Sequence, residues 1–260
     1  MEARFLNGVL HPGDSSWADN QGRTLGLGVF ETLVLRGGAA LHPEQHLERM
    51  RHAADELRLP TSPHVDTLLA DTQTLIRTLG RTDGAVRWTW TAGDGDVAVI
   101  TIHCRDIPAS IEERRAGVHG HSLPGPMPLA YLKTTSRAPW VVAQRLAEAA
   151  VPAPAEAMFV TQSGEVLEGS RSNIFARFPE GWITPPTDGR ILPGVTRDRL
   201  LNWLQDEGYR VEERRLERSK LPEASAVILT GSLIGTAPLL TLDGRRLETH
   251  DAEEVAGFKP

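Results

Sequence analysis

Apolar residues in the first 105 positions form two kinds of pattern. Short runs that are rich in β-branched or aromatic residues, and bounded by Gly, Pro or Asp, predict four strands. These runs occupy residues 5–10, 28–35, 85–91 and 97–104. Between them, residues 42–57 and 65–79 repeat apolar positions at helical spacing, with a proline near the start of each. The order strand, strand, helix, helix, strand, strand predicts an α+β fold, because a doubly wound sheet requires strict alternation.

A polar stretch at residues 106–115 precedes a second α+β region. Such a stretch suits a crossing between two lobes, so we predict a small N-terminal lobe over residues 1–108 and a larger C-terminal lobe over residues 109–260. The elements predicted for the second region are a strand at 117–123, a helix at 138–150, a hairpin of 158–161 and 166–167, a strand at 173–178, a helix at 198–207, and strands at 226–230 and 239–242.

Composition and charge exclude several classes of protein. The chain of 260 residues is 40% hydrophobic and 24% charged, which is typical of a folded globular protein. Its net charge of −6 gives no electrostatic footprint for nucleic acid or an anionic membrane, so neither is expected as a partner. The single cysteine, Cys104, forms neither an intrachain disulfide nor a thiolate zinc cluster, which favours a reducing cytoplasm. No apolar run approaches the roughly 20 residues of a membrane helix, so we expect a soluble, unprocessed protein.

Lysine is rare in this chain, and one lysine has an unusual setting. Of the 28 Lys and Arg residues, only Lys133, Lys220 and Lys259 are lysines. Lys220 lies in a charged stretch and Lys259 is next to the C-terminus, so both are expected to be exposed. Lys133 follows the apolar residues 128–132 and precedes three hydroxyl side chains. Burial there would lower the pKa of its amine, and a neutral lysine amine can form a Schiff base.

Six segments contain the residue types that a phosphate-bearing aldehyde cofactor requires. In chain order they are Gly26-Leu27-Gly28-Val29-Phe30-Glu31-Thr32, His46-Leu47-Glu48-Arg49-Met50, Leu132-Lys133-Thr134, Glu168-Gly169-Ser170-Arg171-Ser172-Asn173-Ile174-Phe175, Leu192-Pro193-Gly194-Val195-Thr196-Arg197 and Thr230-Gly231-Ser232. This ordered set resembles the class IV, or fold type IV, pyridoxal-phosphate enzymes, which include branched-chain aminotransferases, D-amino-acid aminotransferases and 4-amino-4-deoxychorismate lyases. The resemblance extends over about residues 5–242. It implies two α+β lobes with pyridoxal 5′-phosphate between them, a small amino-group substrate that carries a carboxylate, and a homodimer.

The resemblance also implies a role for individual residues. Lys133, in the predicted C-terminal lobe, would hold the cofactor as a Schiff base and then move protons as the catalytic acid and base. Glu168 would lie under the pyridine nitrogen and keep it protonated. The other residues implied for cofactor binding are Arg49, Val195, Thr196, Ser232 and Leu233 at the phosphate and Leu192 against the ring. Backbone N–H groups at a helix start after Gly194 would support the same anion.

Local sequence alone leaves other roles open for these residues. Lys133 could be an exposed lysine, Glu168 a solvated hairpin residue, Thr196 an ordinary helix cap and Arg49 a surface arginine. Three histidines attract attention as well, since His46 lies on a predicted helix and His119 and His121 share one face of a predicted strand. They have no further candidate ligands beside them, so we predict no metal site.

Two reactions remain open, because transamination and the elimination of pyruvate from aminodeoxychorismate use the same cofactor residues. The arginine-glycine pair that D-amino-acid aminotransferases and many of the lyases carry after the strand at 85–91 is missing here. Branched-chain enzymes line their pocket with tyrosines, whereas this chain has two tyrosines in all.

The candidate substrate-binding residues are Phe30, Arg87, Arg137 and Arg171, with the three arginines as clamps for carboxylates. Arg137 and the segment Phe30-Glu31-Thr32-Leu33 resemble the lyases. Our hypothesis is therefore a lyase that produces 4-aminobenzoate, a folate precursor. The alternatives are a class IV aminotransferase acting on D- or branched-chain amino acids and a non-catalytic binding module.

Overall fold

Contacts between residues divide the chain into two units. One contains Met1–Pro108 and Leu132–Arg137, and the other contains Ala109–Tyr131 and Ala138–Pro260. The structure, a computed structural model, describes residues 3–6, 8–12, 21–93 and 97–259. No helix in these described ranges is long and apolar enough to cross a membrane.

The described residues of the first unit form one antiparallel sheet and three helices. Its elements are β1 (Ala3–Leu6), β2 (Val9–Pro12), α1 (Gln21–Thr24), β3 (Gly28–Arg36), β4 (Ala39–Ala40), α2 (Pro43–Glu56), α3 (His64–Leu79), β5 (Gly84–Ala92) and β6 (Ala98–Arg105). The strand order is β2-β1-β6-β5-β3-β4, and each neighbouring pair is antiparallel.

Alternating side chains of β5 and β6 form the core of this unit. Every second residue of β6 is buried, and along β5 Trp88 and Trp90 are buried on one face. Trp88 Nε1 donates a hydrogen bond of 2.8 Å to Thr72 Oγ1 of α3. Helix α3 therefore packs on this face, and its polar Thr72 satisfies the one polar atom of the buried indole.

The segment Leu132–Arg137 is hydrogen-bonded to the start of β3. Phe30 N–H donates to the carbonyl of Lys133 over 2.9 Å, and Thr135 N–H donates to the carbonyl of Gly28 over 2.8 Å. We expected Lys133 to belong to the second lobe, whereas its segment groups with the first unit. The physical reason is this backbone pairing, which attaches a segment from far along the chain to β3.

The second unit contains a mixed ten-stranded sheet. Its elements are α4 (Ser110–Ala116), β7 (Val118–Pro124), α5 (Ala138–Ala150), β8 (Ala155–Val160), β9 (Glu165–Gly169), β10 (Asn173–Phe178), β11 (Gly181–Thr184), α6 (Val195–Asp206), β12 (Val211–Glu213), β13 (Leu216–Glu217), β14 (Ala226–Gly231), β15 (Gly235–Leu242) and β16 (Arg245–Arg246), with short 3-10 helices at Arg218–Glu223 and His250–Val255. The strand order is β12-β11-β10-β14-β15-β7-β8-β9-β13, and β16 pairs with β15. Strand β7 is parallel to both β8 and β15.

Two helices pack against buried apolar clusters of this sheet. The cluster at α5 consists of Trp140, Ala143, Ala147, Ala155, Ala157, Phe159, Leu167 and Ile191. The cluster at α6 consists of Phe175, Trp182, Leu200, Leu204, Ala226, Ile228, Val255 and Phe258. Side chains of β10 and β14 alternate between the two faces of the sheet, so the second cluster defines the face that α6 covers.

Several predicted elements differ in the structure; strands β8 and β15, for example, begin at Ala155 and Gly235 rather than at 158 and 239. The single strand predicted at residues 5–10 is a hairpin of β1 and β2, because Gly8 adopts a positive φ of 77° that suits a turn. The polar stretch predicted as a crossing contains α4, which buries Ile111 and Arg114. Helix α6 begins at Val195, earlier than predicted, because Gly194 is already its N-cap.

Candidate active site

Three residues predicted for the site, Lys133, Phe30 and Arg87, lie together in the first unit. Lys133 Nζ lies 4.9 Å from the centroid of the Phe30 ring, and Arg87 Cζ lies 3.8 Å from the same centroid. The face of an aromatic ring attracts cations, so Phe30 holds both basic groups near it. Phe30 and Arg87 come from the paired strands β3 and β5, and the backbone of Lys133 is bonded to β3.

The amine of Lys133 has unusual chemistry for a lysine. Burial lowers its pKa from the ordinary value of 10.5 to about 7. The positive charge of Arg49 acts in the same direction, the carboxylate of Glu31 opposes it, and Arg137 and Arg87 lower the pKa further. A large fraction of the amine is therefore neutral near pH 7, and a neutral amine is nucleophilic.

Glu31 supplies the negative charge among these cations. Its carboxylate is fully buried and accepts hydrogen bonds of 2.7 Å from Arg49 Nε, Arg49 Nη2 and His46 Nδ1. Burial alone would raise the pKa of Glu31, but Arg49 and His46 lower it to about 2. The two-point contact fixes the orientation of Arg49, the residue predicted for the phosphate. His46 is thus a buried partner of Glu31, a pairing that no motif in the sequence indicates.

In the second unit, Glu168 is part of a hydrogen-bonded group. Its buried Oε2 accepts hydrogen bonds from Leu192 N–H over 3.0 Å and from Asn173 Nδ2 over 3.4 Å. Asn173 Nδ2 also donates to the carbonyl of Leu192 over 2.9 Å. The carboxylate predicted for the pyridine nitrogen and the residue predicted to pack on the ring are therefore brought together, with Asn173 as the link.

Helix α6 begins against Asn173 because Gly194 has no side chain. A Cβ on Gly194 would overlap Asn173 Oδ1. Gly194 is the N-cap in an extended conformation, and the buried residues Val195 and Thr196 form the first turn. Thr196 is therefore inside the helix rather than its cap. N–H groups of a first turn have no acceptor within the helix, which makes this end suitable for an anion.

A second buried carboxylate, Glu156 of β8, was not among the predicted site residues. Its Oε1 accepts hydrogen bonds from Arg171 N–H at 2.8 Å, Ser172 Oγ at 3.1 Å and Ser170 Oγ at 3.3 Å. Its Oε2 forms an ion pair with the buried Arg114 of α4. Glu156 therefore fixes the connection between β9 and β10. The only signal in the sequence was an acidic residue within an otherwise apolar strand.

The remaining predicted residues lie at less enclosed positions of the second unit. The side chain of Arg171 is 53% exposed, and its Nε lies 3.9 Å from Glu156 Oε2. Ser232 and Leu233 form part of the turn between β14 and β15, and the Leu233 carbonyl accepts a hydrogen bond of 2.7 Å from Arg115 Nη2. Arg171 thus has a carboxylate partner already, whereas the structure groups Arg87 and Arg137 with Lys133.

His119 and His121, the two histidines on one face of β7, have ordinary partners. His119 Nδ1 lies 3.0 Å from Thr241 Oγ1, and His121 Nδ1 lies 3.5 Å from Asp243 Oδ1. In the described part of the chain, no group of three or more His, Cys, Asp or Glu residues is arranged to hold a metal ion.

A sequence model of the family described as amino-transferase class IV matches residues 28–241 of this chain. The chain belongs to the class IV aminotransferase family. The matched range contains every residue that the sequence predicts for the site. This class IV chain is therefore an enzyme that depends on pyridoxal phosphate, either an aminotransferase or an aminodeoxychorismate lyase.

Similar proteins cover both of these activities. A bifunctional aminodeoxychorismate lyase / D-amino acid transaminase from Mycobacterium tuberculosis is 30% identical, with 95% of this chain and 93% of that protein covered. An aminodeoxychorismate lyase from Bacillus subtilis is 26% identical, with 92% and 86% covered. The PLP-bound form of a hypothetical aminotransferase from Mycobacterium tuberculosis has a TM-score of 0.89 at 28% identity, with 97% and 95% covered. The class IV chain thus has fold type IV.

The residues of this class IV enzyme fit pyridoxal 5′-phosphate. An aldehyde requires an amine that is neutral near pH 7, which Lys133 provides. A phosphate requires cations and N–H donors. The first unit contains such a cation in Arg49, and the second unit contains such donors in the first turn of α6. A pyridine nitrogen is held protonated by a carboxylate, and Glu168 is a buried one.

The first prediction concerns the buried charge of Glu31. Glu31→Gln leaves the guanidinium of Arg49, whose side chain is 11% exposed, without its anion. We expect the free energy of unfolding to fall by about 3 kcal/mol, measured by urea denaturation. Asp66→Asn is the matched control, because it breaks an ion pair with Arg51 whose side chains are 76% and 46% exposed. That change should cost under about 1 kcal/mol. An equal loss in the two variants would contradict the structural role of Glu31.

Proposed function

We propose that this chain is a 4-amino-4-deoxychorismate lyase, which releases pyruvate from its substrate and leaves 4-aminobenzoate, a folate precursor. The observation that carries this proposal is the set of arginines near the amine of Lys133. Arg87 and Arg137 are close enough to lower the pKa of that amine. Aminodeoxychorismate bears two carboxylates and an amino group, so it needs two cationic partners beside one reactive amine.

The electrostatics of Arg87 support its role as a carboxylate clamp. Burial lowers the pKa of its guanidinium, Arg105 lowers it further, and Glu31 opposes them. A half-buried cation that is only partly compensated favours an anionic ligand, because the ligand's charge replaces lost hydration. Phe30, which stacks on the Arg87 guanidinium, would hold the clamp in place and contact the substrate ring.

The elimination of pyruvate requires a group that holds the cofactor and a base that removes a proton from the substrate. Bound pyridoxal phosphate supplies an electron sink beside the reacting carbon. Lys133 would hold the cofactor and then, as a neutral amine, take the proton from the ring carbon that bears the substrate's amino group. The bond from the neighbouring ring carbon to the ether oxygen breaks, and the leaving enolpyruvate takes up a proton to become pyruvate. The products together contain every atom of the substrate, so no second substrate is required.

Other residues would orient the cofactor during this reaction. Arg49, held by Glu31, would bind the phosphate together with Val195, Thr196, Ser232 and Leu233. Glu168 would keep the pyridine nitrogen protonated, and its bond from Leu192 N–H would place that residue against the ring. The loop between β9 and β10, which Glu156 anchors, connects the strand of Glu168 with the strand of Asn173.

A class IV aminotransferase is the second candidate function. It is favoured by the Mycobacterium tuberculosis relative, whose name combines lyase and D-amino acid transaminase activities. Lys133 and Glu168 would serve both reactions, because both begin with proton removal next to the substrate nitrogen. The two functions differ in their second substrate, since transamination needs a keto acid and the elimination needs none.

We also propose that the enzyme acts as a homodimer in the cytoplasm. Val141, Val142 and Leu146 of α5 are between 47% and 55% exposed, which is unusual for apolar residues that repeat on one helix. A contact with a second copy would cover them. The single cysteine suits a reducing compartment.

The second prediction tests the reaction itself. Cofactor-loaded protein is incubated with enzymatically prepared aminodeoxychorismate in the absence of any keto acid, and pyruvate and 4-aminobenzoate are measured. We expect the two products in equal amounts, because both come from one substrate molecule. Lys133→Ala should abolish their formation, since it removes the group that moves the proton. Amino-group transfer to a keto acid with no pyruvate release would contradict the lyase and support the aminotransferase.

The third prediction separates the candidate clamps. Arg87→Gln should lower kcat/KM for aminodeoxychorismate about 10- to 100-fold, the usual effect of losing a hydrogen bond to a charged group. Arg171→Gln is the matched control, because its side chain is mostly exposed and is paired with Glu156. We expect it to change kcat/KM less than about threefold. Equal losses in steady-state assays of the two variants would show that Arg87 is not the specific clamp.

A further inference from the structure

The hydroxyl of Thr230 is buried without a hydrogen-bond partner. Thr230 is 1% exposed, and its Oγ1 contacts no donor or acceptor among the described residues. Buried hydroxyls in folded proteins nearly always have a partner, because an unpaired one loses its bonds to water without compensation. An unpaired hydroxyl in the protein interior is therefore a candidate to bind a ligand atom.

Strand pairing shows where this hydroxyl lies. Thr230 of β14 is directly opposite Asn173 of β10, so the two side chains share one face of the sheet. Ile228 and Phe175, two residues further along each strand, lie on the same face and belong to the cluster at α6. Thr230 is therefore on the sheet face that α6 covers.

Thr230 also lies at the end of this face where α6 begins. Its neighbour Asn173 is so close to Gly194, the N-cap, that a Cβ there would overlap the amide oxygen. Gly194, the N-cap, has no side chain with which to cap this helix. Thr230 and the start of α6 are thus both next to Asn173.

We propose that Thr230 is a further phosphate-binding residue, whose hydroxyl donates a hydrogen bond to the phosphate of pyridoxal phosphate beside the first turn of α6. The proposal rests on the function above, in which Thr196 and Ser232 bind the same phosphate. It adds to that set the hydroxyl of Thr230, which differs from the others in being buried without a hydrogen-bond partner. The unpaired hydroxyl lowers the stability of the cofactor-free protein, and it would gain a hydrogen-bond acceptor when the phosphate is bound.

Thr230→Val tests this idea, because valine keeps the shape of threonine and removes the hydroxyl. The dissociation constant is measured by absorbance titration of the cofactor-free full-length chain with two probes, pyridoxal phosphate and pyridoxal. We expect about tenfold weaker binding of pyridoxal phosphate, which corresponds to about 1.4 kcal/mol. Binding of pyridoxal, which has no phosphate, should be unchanged. Thr230→Ser should restore binding of pyridoxal phosphate.

The thermal stability of the cofactor-free protein provides a second readout. Thr230→Val should unfold at a higher temperature than the wild type, because it removes an unpaired buried hydroxyl. Thr184→Val is the matched control: Thr184 is fully buried, but its Oγ1 donates to the carbonyl of Ile174 over 2.8 Å. That variant should unfold at a lower temperature and keep its affinity for both probes.

Three outcomes would overturn the assignment of Thr230. They are unchanged affinity of Thr230→Val for pyridoxal phosphate, equal losses for both probes, and a cofactor-free Thr230→Val protein less stable than the wild type. Failure of the wild-type chain to bind pyridoxal phosphate would instead overturn the cofactor assignment, and with it the proposal. If the wild-type chain binds pyridoxal phosphate but releases no pyruvate in the lyase assay, the proposed reaction is wrong and the cofactor assignment stands.

Discussion

The carboxylate of Glu31 is the constraint on which the first unit depends. Arg49, Arg87 and Arg137 all act on the amine of Lys133, and burial strengthens such interactions by excluding water. Glu31 is the buried anion that opposes this group, and its bonds to Arg49 and His46 keep it ionised well below neutral pH. With its folded pKa near 2, Glu31 stabilises the fold above about pH 4.5, and this contribution is lost as the pH falls toward 2.

A second buried carboxylate has a similar structural role in the other unit. Glu156 binds Arg114 of α4 and the N–H of Arg171, and thereby ties a helix to the loop between β9 and β10. That loop separates Glu168 from Asn173, whose amide reaches both the Glu168 carboxylate and the Leu192 carbonyl. Each unit thus uses one fully buried acid to hold the groups that are proposed to bind the cofactor. A buried carboxylate lowers the stability of the fold unless both of its oxygens are paired. Both oxygens of Glu156 are paired.

Local pattern was sufficient for much of the fold. Strands β3, β5 and β6 and helices α2 and α3 lie within one residue of their predicted bounds, because period-two and helical spacing are strong signals over their lengths. The same pattern failed at α4, whose charged surface hides the buried Arg114, and at Gly8, where one glycine turns a strand into a hairpin. The attachment of Lys133 to β3 depends on pairing between distant segments, which no local pattern records.

The sequence motifs predicted candidate site residues but not the contacts that arrange them. The ordered motifs predicted Lys133, Arg49 and Glu168 as site residues, and the family match agrees with the class of enzyme that these motifs implied. The motifs did not reveal that Glu31 organises Arg49, nor that Glu156 anchors a loop from another strand, because those contacts form only on folding. The same holds for the unpaired hydroxyl of Thr230, which is visible only once burial is known.

The central claim is that burial and neighbouring cations make Lys133 a neutral amine near physiological pH. The most direct measurement is the rate at which a small amine-selective reagent modifies Lys133 in the cofactor-free protein across a range of pH, followed by peptide mass spectrometry. The account predicts a rate that rises with pH and reaches half its maximum near pH 7, since the reactive form is the neutral amine. A midpoint near 10.5, the ordinary value for lysine, would contradict it.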